Sequence, residues 1–144
     1  MGRRLVAVTT GVLALTGVRE RAAAALAPVD PTDPAVFVEY VDALDPPALM
    51  IGWDDPWLEA GFGGRPVFGP CEWEARLAII CVAARVEPGP GIQTLEELVA
   101  YTINRLRADD YPWPVATVQA PRQFTIGNIP LLGARVGYRV PVTV

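Results

Sequence analysis

Apolar and polar positions alternate most plainly in residues 71–106, CEWEARLAIICVAARVEPGPGIQTLEELVAYTINRL. Cys71, Trp73, Ala75, Leu77, Ile79, Cys81 and Ala83 share one face at the two-residue period of a strand. The opposite face starts charged, at Glu72, Glu74 and Arg76, and turns apolar at Ala78, Ile80 and Val82. This predicts a long strand running from a half-solvated edge into the middle of a sheet. Pro88 and Pro90, alternating with Gly89 and Gly91, stop it, because proline donates no ladder hydrogen bond and glycine permits the turn. Leu95, Leu98, Val99, Thr102, Ile103 and Leu106 then recur at helical spacing, which predicts a helix with one stripe facing a core. Thr94 and Glu97 have the spacing of a capping box, and Glu96 and Glu97 at its start and Arg105 and Arg107 at its end suit the helix macrodipole.

Residues 1–27 read in two ways. Arg3-Arg4, the apolar run after it and the alanines at 22–25 mimic a secretory signal, whereas Thr9, Thr10 and Thr16 dilute the run and Arg19-Glu20-Arg21 separates it from the small residues. The preferred expectation is a packed N-terminal helix using Leu5, Val8, Val12 and Leu15; a cleaved signal is the alternative. The run falls short of the roughly 20 residues that a membrane span needs. Residues 28–47 form a proline-rich linker, in which 34–44 favours a short helix carrying Phe37, Tyr40, Val41 and Leu44, although Val36, Val38 and Tyr40 also alternate as in a strand.

Residues 48–53 read as a core strand entering after Pro46-Pro47, and 54–70 as a loop of turn formers that nonetheless carries Trp57, Leu58, Phe62 and Phe68. After a rigid turn at 109–114, a short strand covers 115–120, and Gly127-Asn128 marks a two-residue hairpin turn. The last strand alternates, with Leu132, Ala134, Val136, Tyr138, Val140 and Val142 on one face and Arg135 and Arg139 on the other. The fold class that follows is α+β: a single domain over residues 1–144, mainly an antiparallel mixed sheet with helices packed on it. Within it, 48–144 supplies the sheet and the central helix.

Composition narrows the function classes. A chain of 144 residues is one ordinary domain, and 51% hydrophobic against 19% charged residues leaves apolar surface for burial against partners. The net charge of -4, with no basic run beyond Arg3-Arg4, argues against gripping a phosphate backbone. On a straight strand Cys71 and Cys81 would lie about 33 Å apart, far outside disulfide reach, so both read as buried thiols.

The chain has no histidine, which removes the commonest general base and metal ligand. No CxxC pair and no phosphate-cradling glycine string is present, and Gly61, Gly63 and Gly64 precede a proline rather than a helix. No cofactor, metal site or catalytic residue is expected. The pairs Asp54-Asp55 and Asp109-Asp110 each adjoin a proline and a tryptophan and read as turn residues; a divalent-cation site or paired acids is the alternative for each, and an acid-based hydrolase using Asp54 or Asp55 is the competing idea. Trp53 and Trp57 read as packing or interface aromatics.

The order of these elements carries a resemblance. A short N-terminal helix, PPALMIGW, a glycine-bearing loop, LAIICVAAR, the TLEEL helix and then VATVQAPRQFTIGNIPLLGARVGYRVPV resemble the tail-terminator and head-tail connector proteins of long-tailed bacteriophages, especially those of actinobacterial hosts. The likeness covers roughly residues 44–144, and residues 18–45 are longer and richer in alanine and proline than its pattern. It implies a virion structural protein, not an enzyme, forming a hexameric ring that caps the tail tube and meets the head-completion protein. In such a ring DNA passes through the lumen unbound and no membrane is involved. Trp57, Phe62 and Phe68 are then expected at a subunit or tail-tube interface, and Arg135 and Arg139 near a neighbouring subunit. The alternative function is a small secreted or envelope-associated binding domain that has lost its first 27 or so residues.

Overall fold

The computed structural model describes residues 12–39, 41–60, 73–85 and 91–144. In chain order they form β1 (Leu13–Ala14), a 3-10 turn (Leu15–Gly17), α1 (Val18–Leu26), β2 (Ala35–Phe37), β3 (Ala48–Ala60), β4 (Trp73–Arg85), α2 (Gly91–Arg107), β5 (Val115–Val118), β6 (Arg122–Ile126) and β7 (Ile129–Thr143). All the strands join one mixed sheet, and the α+β expectation holds.

Alternation on β4 organises this sheet. Ala75, Leu77, Ile79 and Cys81 are fully buried on the face that carries both helices, opposite Val140, Tyr138, Val136 and Ala134 of antiparallel β7. β3 pairs antiparallel with the other side of β4 and adds Leu49 and Ile51 to the same core. The second face behaves as its sequence requires, charged at Glu74 and Arg76 and then closed at Ile80 and Val82. There Met50, Ile80, Val82, Ile126 and Leu131 form a smaller cluster, flanked by Phe37, Val41, Leu44, Phe124 and Ile129.

The far side of β7 is lined by three short strands placed end to end. β6 pairs from Ile126↔Ile129 to Arg122↔Gly133, β5 from Val118↔Val136 to Val115↔Tyr138, and β1 adds Leu13↔Val142 in parallel. Most of β7 is therefore bonded on both sides, which fits its burial along an entire face. The Gly127-Asn128 turn closes β6 on β7 with φ of 57° and 67°, the pair of left-handed residues that matches strand twist. A Cβ at Gly127 would lie 2.1 Å from the Asp42 carbonyl oxygen, so glycine also lets the hairpin tip seat against the 41–44 segment.

α2 buries Leu95, Leu98, Thr102 and Leu106, with Val99 and Ile103 half-buried beside them. Thr102 Oγ1 donates to the Leu98 carbonyl at 2.9 Å and lies 3.6 Å from Cys81 Sγ, so the one buried hydroxyl on this stripe is satisfied. Cys81 is free and buried; Cys71 lies outside the described residues.

α1, with nine residues, is too short to persist alone and lacks both a basic last turn and a C-terminal glycine. Its terminal carbonyls are bonded from α2 instead. Tyr101 Oη donates to Leu26 O at 2.9 Å, Arg105 Nη2 to Ala27 O at 2.7 Å and Arg105 Nε to Ala25 O at 3.3 Å. Val18, Ala22 and Leu26 are fully buried, so a chain cut after residue 27 would lose three core side chains together with β1.

Four expectations are corrected. The segment 34–44 contains a strand, β2, in place of the favoured helix, because it extends the sheet by pairing Ala35–Phe37 in parallel with Ala48–Met50. β3 does not end at Trp53: it continues to Ala60 after a bulge, so the first part of the expected 54–70 loop is strand. The first helix lies at Val18–Leu26, while Leu13–Ala14 is strand and Leu15 begins the 3-10 turn; Leu5 and Val8 lie outside the described residues. α2 begins at Gly91, which puts Thr94 inside it and leaves its first turn without an acidic residue.

Two expectations test this packing. Gly127→Ala is expected to cost about 2 kcal/mol or more in urea unfolding, since a left-handed residue with a Cβ loses about 1–2 kcal/mol before Asp42 has to move. Asn128→Gly should change little. Burial raises the Cys81 thiol from 9.0 to about 11, with the Thr102 hydroxyl opposing. The folded chain thus keeps a proton that the unfolded chain releases, and stability should fall as pH climbs from about 9 to 11. Cys81→Ala should flatten that part of a plot of Tm against pH.

Candidate functional site

The flank of β3 concentrates the residues singled out by sequence. β2 covers β3 only at Ala48–Met50, and among the described residues no strand pairs with that outer side of β3 from residue 51 onward. The ladder to β4 runs Gly52↔Ala78 and Trp53↔Leu77, then resumes at Leu58↔Ala75. Residues 54–57 are therefore bulged, and Pro56, lacking an N–H, is tolerated there. Trp53 packs partly on the core, and Trp57 stands 45% exposed with its ring centroid 5.3 Å away at 55°. One tryptophan is anchored and supports an exposed one on an edge that no strand pairs among the described residues. Such an edge is a template for another strand.

Asp54 leaves the bulge on the other face. Its Oδ1 takes Arg135 Nη1 at 3.0 Å, so the pair crosses β4. Small residues make this possible, because Gly52, Ala78 and Gly137 lie side by side in register beneath it. A Cβ at Gly137 would be 3.7 Å from Asp54 Oδ2 and 3.1 Å from Thr117 Oγ1. Arg139 is the more exposed arginine, 58% at its side chain, and reaches Glu74 only at 3.9 Å. Both arginines that sequence placed near a neighbouring subunit thus have acidic partners within the chain. Phe62 and Phe68, and the glycines of their loop, lie outside the described residues.

The paired acids do not converge. Asp54 is held in its ion pair while Asp55 is exposed. Asp109 receives Trp113 Nε1 at 2.8 Å and Arg21 Nε at 3.3 Å, tying the turn after α2 to α1, and Asp110 is exposed. Among the described residues no group of three or more His, Cys, Asp or Glu is placed to hold a metal.

Among the described residues, cavities lie on both faces of the sheet. One, of about 360 Å³, lies on the second face between the 41–42 segment, Met50, Ile80, the hairpin and Arg135. The other, of about 300 Å³, lies under the end of α2 against Trp113 and Tyr138. Sequence reading missed the second. Tyr138 registers there only as one of an apolar row, yet a tyrosine among valines on an inward face carries a hydroxyl into the core, and that is the available signal.

No protein-family model matches this chain, and no curated protein matches it. No helix among the described residues is long and apolar enough to cross a membrane.

The Asp54–Arg135 pair has side chains 14% and 25% exposed. A double-mutant cycle with Asp54→Ala and Arg135→Ala should give a coupling near 1 kcal/mol in urea unfolding, the upper end for partly exposed pairs. Arg139→Ala with Glu74→Ala should give a smaller one.

Proposed function

We propose that the chain is a structural subunit of the neck of a long-tailed bacteriophage, a tail-terminator or head-tail connector protein that assembles into a ring, hexameric by resemblance. Its partners in this reading are further copies of itself, the tail tube protein and the head-completion protein, and its place is the virion. The observation that carries the proposal is the outer flank of β3: an edge unpaired among the described residues from 51 onward, with Trp57 exposed beside it. Closing a ring gives that edge a use, because a neighbour's strand would pair along it and cover the indole. The order of elements supports the same reading, as does a net charge of -4, which lets DNA pass a lumen without adhering.

Mass measurement on the full chain, alone and with purified tail tubes, tests it. A closed ring is expected, formed either in solution or on the tubes. Trp57→Ala should weaken assembly by about 30-fold or more, the loss typical of a buried interface tryptophan, while leaving the monomer folded. A chain that stays monomeric with tubes present, or a Trp57→Ala protein that assembles normally, overturns the assignment.

A further inference from the structure

Strand register puts the outer flank of β3 and the strand β5 at opposite ends of the same rows. Trp53 connects to Val115 by way of Leu77 and Tyr138, and Ile51 connects to Val118 by way of Ile79 and Val136. Among the described residues β5 pairs only with β7, so its outer side, like that of β3 from residue 51 onward, is paired with no strand. Along the row β3, β4, β7 and β5 alternate in direction, because each contact is antiparallel. A second copy in the same orientation, set at the end of the row, would bring its β3 antiparallel to β5 and continue that alternation.

The side chains at the two ends match in character. Trp57 is exposed with its ring against Trp53, which packs on the helix-side core. Val115 and Val118 are 49% and 45% exposed, opposite Tyr138 and Val136 of that same core. Apolar exposure at both ends is therefore on the helix-bearing side. On the second face the row of Glu59 and Glu74 ends at Pro141, two residues from Arg139, whose amide donates to Pro114 O at the head of β5. Glu59 is exposed and the Arg139 side chain is 58% exposed, so across such a joint the acid of one copy would approach the base of the next. Two copies joined β3 to β3 would instead set exposed Asp55 and Glu59 against their own kind, which repels, and would leave Val115 and Val118 uncovered.

We infer that the outer flank of β3 pairs with β5 of a second copy of this chain, head to tail, so that the sheet runs on across the boundary and Trp57 covers the next copy's Val115 and Val118. The inference rests on the reading of the β3 flank as a self-interface and names the surface that receives it. Because the two surfaces differ, each copy keeps one of each kind open, and the same joint repeats from copy to copy. A β3-to-β3 contact would stop at two copies.

Sedimentation velocity of the full chain in solution, without tail tubes, tests this with two single variants and their mixture. Val118→Glu puts an acid on β5 where the acidic β3 flank arrives, and should weaken self-association by about tenfold or more with the Tm little changed. Should that variant fail to fold, Val118→Thr keeps the branched side chain and is expected to weaken association by about threefold or more. Trp57→Ala removes the other half of the joint. Mixed, Val118→Glu still offers a sound β3 flank and Trp57→Ala a sound β5, so a one-to-one pair that grows no further is expected. Self-association of Val118→Glu at the strength of the unaltered chain, no pair in the mixture, or an unaltered chain that is monomeric at every concentration overturns the inference. Loss of association in Trp57→Ala but not in Val118→Glu sinks this joint alone and leaves the ring reading standing. The expected pairing together with indifference to tail tubes keeps the joint and sinks the neck assignment.

Discussion

The register between β4 and β7 is the constraint on which the rest depends. With Leu77 opposite Tyr138 and Ile79 opposite Val136, apolar side chains of both strands meet the helices, and Arg76 and Arg139 fall together on the other face. A slip of one residue would turn Arg135 and Arg139 into the helix-side core, where unpaired charge costs several kcal/mol. Three short strands along the far side of β7 reinforce that register.

What sits on the first face is stabilised by reciprocal contacts between elements that are weak alone. α1 supplies Val18, Ala22 and Leu26 to the core, and α2 supplies the Tyr101 and Arg105 donors that α1's last turn lacks. Arg105 also faces Asp33, whose carboxylate accepts the Asp30 and Val29 amides and is held below its ordinary pKa mainly by those bonds. The linker after α1 is thereby fixed where β2 must begin.

On the second face, side-chain size sets the arrangement. Gly52, Ala78 and Gly137 leave room for Asp54 to reach Arg135, and beyond them larger residues close a small cluster under the hairpin. The proposed function lies at the margin of this plate, on a flank of β3 that no strand pairs among the described residues and beside which Trp53 supports Trp57.

The elements legible from residues alone are those whose pattern is internal to one segment. β4, the stripe of α2, the Gly127-Asn128 turn and the alternation of β7 need no partner to be recognised, since period and backbone preference are local properties. The α+β class follows from them. Other features needed the neighbours. Residues 35–37 favour helix by pattern until the Ala48–Met50 edge offers hydrogen bonds and makes them strand, and residues 54–60 look like a loop until a bulge restores pairing at Leu58. The cap on α1 comes from Arg105, 78 residues beyond Ala27, and among the described residues the buried Tyr138 hydroxyl finds no hydrogen-bond partner. Hydrogen-bond satisfaction and edge pairing belong to surfaces brought together by folding, which is why the tertiary structure decided them and the order of residues did not.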